Sequence, residues 1–383
     1  MWHGRTIARR STGFAMRWYR TTAIGFAILF LIAAAWNCWT NLRNPEGNDF
    51  LSFWAAGRLA LQGRAALAYN IPVHWAVENS VVRMGALLPF PYPPPFLAIV
   101  APFALVPYGL AFILWLILCS GYYAFASSRI VPLSFAFAFP PVCINLLIGQ
   151  TGFLTAGTLI LGLGFSTSNP WVAGAVLGLM VMKPQLALLL PIAMLAGREW
   201  RVIAGAVLSA TVLLLLGLLL FGPASYEGFF NILPHYLGFM RENRVAWHEL
   251  ASPFAFARFV GVPQAQAIWV QMASAIVAAS LTARAWALRL DERVPILAAA
   301  TALVSPYFFT YDALLLIIPI GWVLREQRRP FVLGLIWLCC LLPIITYFTP
   351  VLGANMISFA AAICLCVLHD RPGAKSSKLA VHA

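Results

Sequence analysis

Residues 169–201 read NPWVAGAVLGLMVMKPQLALLLPIAMLAGREWR, and the topology of the whole chain turns on whether their apolar part forms one helix or two. Counting apolar runs from the N-terminus brings the chain into this stretch on the side where its arginines gather. A single span over 171–196 would therefore carry Arg198 and Arg201 to the opposite side. A break at Lys183–Pro184 instead gives two short helices in a hairpin, with Lys183 at the apex and the GREWR turn returned to its own side. Proline favours the break, because it removes one helical hydrogen bond and restricts the residue before it. The hairpin is the expected arrangement.

The runs on either side place the chain in a membrane. It is 62% hydrophobic and 10% charged, against roughly 45–50% and 25% for soluble domains. Apolar stretches of about 20 residues, the length that crosses hydrocarbon, recur along it. In lipid such stretches must be helical, since each unpaired backbone group there costs several kcal/mol. The expectation is an all-α polytopic integral membrane protein.

The net charge of +13 does not imply nucleic acid. The arginines sit in short loops, where they set orientation and meet anionic headgroups. The seven cysteines lie in or beside apolar runs without metal-site spacing and read as packing residues. No carboxylate cage is visible, so neither metal nor cofactor is expected.

Arg5, Arg9, Arg10, Arg17 and Arg20 place residues 1–20 in the cytoplasm, ahead of a retained first helix over 21–40. An outer segment with amphipathic stretches follows over 41–93. Spans are expected at 94–127, 131–147, 151–167, the 171–196 hairpin, 201–221, 264–287, 294–305, 308–324, 331–349 and 353–369. A long polar outer loop occupies 222–262, and 370–383 form a cytoplasmic tail. This gives roughly 12 transmembrane helices in one domain over 21–369. The shortest spans need shielding by other protein or a cavity.

On this topology Glu46, Asp49, Glu78, Glu227, Glu242, Glu249 and Asp312 all fall on the outer side. Gln150, His235, His248, Arg241 and Arg244 join them. Ionisable groups at a membrane face are costly unless paired or functional, so a site at the outer face is expected. Asn48 can cap a helix that begins at Asp49 and ends at Gly63. Its Phe50, Leu51, Phe53, Trp54 and Leu61 suggest a helix lying along the interface. Asp49 either complements that helix's dipole, worth about 0.3–1 kcal/mol, or performs chemistry. Residues 89–96, PFPYPPPF, form a rigid lead-in, with Tyr92 a candidate pocket residue. IGQTG at 148–152 is a tight turn displaying Gln150. Lys183, the lone lysine outside the tail, either snorkels to an interface or meets an anion. SPYFFTYD at 305–312 supplies Tyr311 and Asp312 at a helix start, where capping is the simpler role.

Taken in order, these blocks resemble glycosyltransferase family 87. NDFLSFWAAGRLALQGRAALAYN (48–70) is similar to that family's first outer loop. YPPPFLAIVAPFALVP (92–107), GQTGFLTAGTLILG (149–162), AGAVLGLMVMKPQLALLLPIAML (173–195) with REWR (198–201), and LVSPYFFTYDALLLI (303–317) are similar to its later blocks. Two departures stand out: Thr151 where the family often has Asn, and a loose match around Asp312. The resemblance implies a GT-C class fold with outer-face interfacial helices. It also implies transfer of a hexose, usually mannose, from a polyprenyl-phosphate donor to a lipid or glycan acceptor outside the cytoplasmic membrane, with Asp49 as catalytic base. Single displacement would invert the anomeric centre. Lys183, Arg58, Arg241 or Arg244 would neutralise the phosphate, and Tyr69, Tyr92, Gln150, His235, His248, Tyr311 and Asp312 would line the pocket. Two other readings compete. A transporter or lipid-sugar flippase would use the broken helix as its substrate site, whereas a non-enzymatic scaffold would use none of these residues.

Overall fold

The computed structural model describes residues 13–83, 88–241, 249–326, 330–345 and 356–369. Among them the backbone is helical apart from turns and one isolated bridge, Leu250 with Phe309. A long first helix, α1 (Gly13–Arg43), leads to α2 (Phe50–Leu61), α3 (Ile71–Val81) and α4 (Pro95–Val100). Next come α5 (Tyr108–Ser127), α6 (Leu133–Ala138), α7 (Pro140–Ile148) and α8 (Gly152–Phe165). The hairpin is α9 (Pro170–Gly178) and α10 (Leu189–Ala196), joined by two 3₁₀ turns, Leu179–Met182 and Pro184–Leu186. After it run α11 (Trp200–Phe221), α12 (Pro223–Arg241), α13 (Pro253–Phe259), α14 (Gln264–Ala287) and α15 (Arg293–Val304). A 3₁₀ segment, Thr310–Leu316, then leads into α16 (Ile317–Glu326), and α17 (Pro330–Ile345) and α18 (Met356–His369) follow.

Local chemistry sets these boundaries. Asn169 caps α9 by accepting from Val172 N at 3.4 Å, with Pro170 as first helical residue. Ser252 caps α13 in the same way, accepting from Ala255 N at 3.1 Å. α2 ends where Arg64 N bonds Leu59 O at 2.9 Å and Gly63 N bonds Ala60 O at 3.1 Å, with Gly63 at φ 70°. That is the paired-bond, left-handed helix ending for which glycine carries no penalty.

Among the described residues, four helices are long and apolar enough to cross a membrane: residues 20–43 of α1, and α5, α11 and α14. All four present apolar side chains outward, among them Ile32 of α1, Leu118 of α5, Leu219 of α11 and Trp269 of α14 at 61%, 61%, 82% and 68% exposure. Two of the short helices lie inside: Ile296–Ala300 of α15 and most of α8 are buried. Apolar surface on this scale is stable only in hydrocarbon, and the short helices gain the shielding they need from the long ones. The chain is a membrane protein. The hairpin docks closely on α11 through Gly174 and Gly178. A Cβ on Gly174 would lie 2.3 Å from Val202 O, and one on Gly178 2.7 Å from Ala206 O. Small residues four apart permit this approach, which in lipid supplies van der Waals packing in place of a hydrophobic driving force.

Several sequence expectations are corrected. The segment 94–127 is not one helix: Pro107 restricts Val106 and divides α4 and its 3₁₀ extension, Ala101–Leu105, from α5. Pro140 likewise divides α6 from α7 within 131–147. The expected polar loop over 222–262 is largely helical, as α12 and α13. α2 does not lay its apolar face on lipid; Phe50, Leu51, Phe53 and Leu59 are at most 1% exposed. Protein, not lipid, takes up its apolar surface.

The connectivity gives the molecule two chemically different ends. α8 starts at Thr151 and stops at Ser166, α9 with its 3₁₀ extension runs from Pro170 to Lys183, and α15 runs from Arg293 towards Ser305. Ser166, Pro170 and Arg293 line one cavity, together with Arg198, Arg201 and Arg289. The other ends of the same elements carry Gln150, Lys183 and Asp312. At 1.5 Å per residue, the 14 residues of α8 separate the two ends by about 21 Å.

Candidate functional site

At the end opposite the arginines, five segments that interrupt helices meet through polar side chains. The linker between α1 and α2 is held by Tyr108, whose hydroxyl lies 2.7 Å from Asn48 Oδ1 and 3.1 Å from Glu46 O. Asp49 follows as N-cap of α2, at φ −57°, ψ −28°, and makes no side-chain capping bond; the expected cap by Asn48 is not formed. Instead Asp49 Oδ2 accepts from Gln150 Nε2 at 2.9 Å, across 101 residues of sequence.

Gln150 sits in the turn between α7 and α8. Gly149 makes this turn at φ 70°, and its carbonyl is held by Trp115 Nε1 at 2.7 Å. A Cβ on Gly149 would meet Phe50 Cβ at 2.7 Å, so the glycine brings the turn against the start of α2. Gln150 Oε1 accepts from Tyr92 OH at 3.1 Å. Tyr92 OH also lies 3.2 Å from Thr151 Oγ1, which accepts from Lys183 Nζ at 3.2 Å. Lys183 Nζ forms an ion pair with Asp312 Oδ1 at 2.6 Å, and Phe309 N donates to Asp312 Oδ2 at 3.4 Å. The chain of contacts thus runs Asp49–Gln150–Tyr92–Thr151–Lys183–Asp312.

Asn145 locks the frame: it donates to Tyr311 O and accepts from Gly152 N, both at 2.9 Å. Tyr311 stacks on Phe309 and covers the Lys183 ammonium, 4.4 Å from the ring centre. Tyr69 OH donates to Tyr92 O at 3.0 Å.

The members differ in access. Asp312, Lys183 and Tyr92 are buried, whereas Asp49 keeps an accessible edge. Dense packing around Asp49 raises its carboxyl above the usual range, while Gln150's hydrogen bond and the Lys183 charge pull it back. Its Oδ1 carries no hydrogen bond within the described structure and is open to a donor. A second carboxylate, Glu249, shares this field. Burial, reinforced by the Asp49 charge, pushes it up to about 7. Its backbone carbonyl accepts from Thr310 N at 3.1 Å, which fixes it to the segment carrying Asp312.

The structure therefore brings together Asp49, Tyr92, Gln150, Lys183, Tyr311 and Asp312, with Tyr69 behind Tyr92. It does not present Lys183 as a free cation for a phosphate, because Asp312 already neutralises it. It does not bring Arg58 in either. Arg58 is exposed nine residues along α2 from Asp49, which at 100° per residue is half a turn round the helix. His235 is exposed on α12, its Nδ1 3.3 Å from Asn231 O of its own helix. The Arg241 side chain, Arg244 and His248 lie outside the described residues. Sequence reading missed Thr151, Asn145 and Glu249 as members. Two signals were visible: Glu249 already fell among the outer-side acids, and the departure at Thr151 falls on the residue that bridges Tyr92 to Lys183. A buried Ser52–His74–Glu78 group nearby is not a nucleophile triad. Ser52 Oγ and Glu78 Oε1 both approach the same nitrogen, Nε2, at 3.3 and 3.2 Å, which leaves no relay through the ring.

The chain matches no curated protein and no solved structure. The model of glycosyltransferase family 87 matches residues 90–319, a stretch that holds Tyr92, Gln150, Lys183 and Asp312 and begins after Asp49. With that match covering more than half of its length, the chain belongs to glycosyltransferase family 87 and is a membrane glycosyltransferase.

Proposed function

We propose that the protein transfers a hexose, mannose first among candidates, from a polyprenyl-phosphate donor to a hydroxyl of a lipid or glycan acceptor. The reaction takes place at the outer face of the cytoplasmic membrane, in a GT-C class fold of roughly 12 spans, and inverts the anomeric centre. One observation carries this reading. An accessible carboxylate with one unengaged oxygen stands beside α2, at the end of the bundle remote from the arginine-lined loops. With those loops in the cytoplasm, as positive charge dictates, Asp49 faces outward.

In the proposed step the acceptor oxygen attacks the anomeric carbon and forms the new C–O bond. The bond from that carbon to the phosphate oxygen breaks, and its electron pair leaves with polyprenyl phosphate. The acceptor proton passes to Asp49 Oδ1. Burial suits Asp49 to this role by raising its affinity for that proton, while Gln150 fixes the carboxylate's orientation. Asp312 and Lys183 stand behind as a neutral buried pair. Arg241 and Arg244 remain the proposed partners of the leaving phosphate. The flippase reading leans on the broken helix at Lys183–Pro184, and there the only cation is already paired with Asp312.

Purified protein incubated with labelled polyprenyl-phosphate mannose and a membrane-lipid extract should yield a labelled product. Asp49→Asn should lower that transfer by about 10²–10⁴-fold with detergent unfolding unchanged. Full activity in Asp49→Asn would remove it as the base.

A further inference from the structure

The end remote from Asp49 carries a cavity of about 390 Å³, lined among others by Arg198, Arg201, Arg289, Arg293, Glu199 and Trp286. This volume lies within the range of small-ligand sites, about 300–1,000 Å³. Four arginines against one glutamate leave the lining with three positive charges in excess. None of the five is in an ion pair within 4 Å among the described residues, although Glu199 feels the charges of Arg293 and Arg289.

Arg293 donates to Leu290 O at 3.3 Å and lies 5.3 Å over the Trp286 ring, yet two polar atoms in the lining lack hydrogen-bond partners. Trp286 is 1% exposed and its Nε1–H makes no hydrogen bond. Glu199 Oε2 is shielded from solvent and accepts none. A buried donor left without an acceptor is costly, so each of these atoms calls for a partner.

The backbone adds an independent mark. Arg198 and Arg289, at φ 55° and 51°, are the two described non-glycine residues with positive φ. Each follows a helix, α10 or α14, at the position glycine usually takes. The closing bonds there, Glu199 N to Met194 O and Leu290 N to Ala285 O, are both 2.9 Å. A residue with a Cβ is disfavoured in this left-handed region. Helix termination alone would be served better by glycine, so these two arginines stand at the cavity against local backbone preference.

The donor inventory decides the ligand class. Guanidinium groups and an indole N–H only donate, and guanidinium matches phosphate oxygens two at a time. The unengaged Glu199 oxygen requires the reverse, a hydroxyl that donates. The setting decides the source to test first. Trp200 lines the cavity at 61% exposure and starts α11, whose Leu208 and Leu219 are 62% and 82% exposed on the lipid side. The cavity thus opens where headgroups lie.

We propose that this cavity binds a phosphate ester carrying a hydroxylated substituent, as an anionic phospholipid headgroup presents. It stands apart from the transfer reaction and does not depend on it. The full-length protein is placed in phosphatidylcholine nanodiscs. Binding is read by native mass spectrometry and by ligand-dependent shifts in unfolding temperature, with phosphatidylglycerol, glycerol 1-phosphate and inorganic phosphate as probes. Phosphatidylglycerol should be retained at least tenfold over phosphatidylcholine. That preference should vanish in Arg198→Gly/Arg289→Gly, whose ligand-free unfolding temperature should hold or rise as the backbone strain is relieved. Arg201→Gln, which alters no strained residue, should lower the preference as well. Saturation by glycerol 1-phosphate as tight as by the lipid also supports the site and assigns it a soluble ester. Retention of phosphatidylglycerol by the double variant, absence of any preference in the parent, or inorganic phosphate binding as tightly as glycerol 1-phosphate would each overturn the proposal.

Discussion

The ion pair between Lys183 and Asp312 offers a test of the architecture that needs no substrate. Nζ and Oδ1 stand 2.6 Å apart with the two side chains 4% and 0% exposed. At an effective dielectric near 20, their attraction is roughly 6 kcal/mol. Withdrawing two such ions from water costs several kcal/mol each, so the intact pair contributes about nothing net. Removing one partner keeps the other's desolvation and loses the attraction. Asp312→Leu leaves an ammonium with Thr151, the Tyr311 and Tyr92 faces and the more distant Asp49 charge; Lys183→Met leaves a carboxylate with the Phe309 N–H. Each single variant should lose about 3–5 kcal/mol, and Lys183→Met/Asp312→Leu should recover most of that loss. The assay is a double-mutant cycle on denaturant unfolding in detergent micelles, followed by tryptophan fluorescence. Single variants within 1 kcal/mol of the parent, or a cycle that closes additively, would show that the charges are not a buried structural pair. Lys183 would then return as a candidate phosphate ligand.

Three further outcomes are expected. Glu249, raised from its usual 4.5 to about 7, binds its proton more tightly folded than unfolded, so its contribution to stability is present at low pH and declines between those values. Glu249→Gln should flatten that decline in a melting series and leave the acid limb of kcat/KM in place, because Glu249 is raised by an Asp49 that has already lost its proton and is itself neutral where Asp49 titrates; a limb that moved to lower pH would show that the two carboxylates titrate together. Gln150→Leu removes a hydrogen bond to a charged group worth about 1.5–3 kcal/mol, so the same limb should move up by roughly one to two pH units, and an identical profile would place the base elsewhere. Gly152→Ala puts a Cβ 2.4 Å from Tyr311 O and from Asn145 Oδ1, and should destabilise by about 1–3 kcal/mol. Gly164→Ala, on the same helix with open space, serves as the neutral control.

What the sequence made legible was what backbone chemistry dictates. Pro184 after Lys183 forbade a continuous helix, and the hairpin is there. Gly63 marked the end of α2. Hydrophobicity could not say whether α2 faces lipid or protein, because Phe50 and Leu51 are equally stable against either. The splitting of 94–127 was carried by one residue, Pro107, inside an otherwise unbroken apolar run. Partner identity was least accessible. Lys183 and Asp312 are 129 residues apart and Asp49 and Gln150 101, and no local rule pairs them. Lys183 therefore read as a cation in search of an anion, with its anion already in the chain.

Asp49 and the residues that meet behind it share a property that explains both successes and failures. Asp49 lies in a linker, Tyr92 in a proline run, Gln150 and Thr151 in a glycine-made turn, Lys183 at a helix break and Asp312 in a 3₁₀ segment. A regular helix satisfies its own backbone, so it can cross hydrocarbon without polar help. Each interruption frees N–H and C=O groups and admits polar side chains. Those groups must then find partners inside the protein, because the surrounding lipid offers none. Interruptions at one depth are thereby driven to share partners, as Gly152 N and Tyr311 O do through Asn145. In an apolar chain the helix breakers thus locate the polar centre, while its pairing is settled only by how the interruptions meet. That ordering makes Asn145→Leu a sharper probe of the frame than any charge change. It should leave both backbone groups unpaired and destabilise by about 2–6 kcal/mol, without altering a single charge. Unfolding unchanged in that variant would mean the turn and the 3₁₀ segment are held by packing alone.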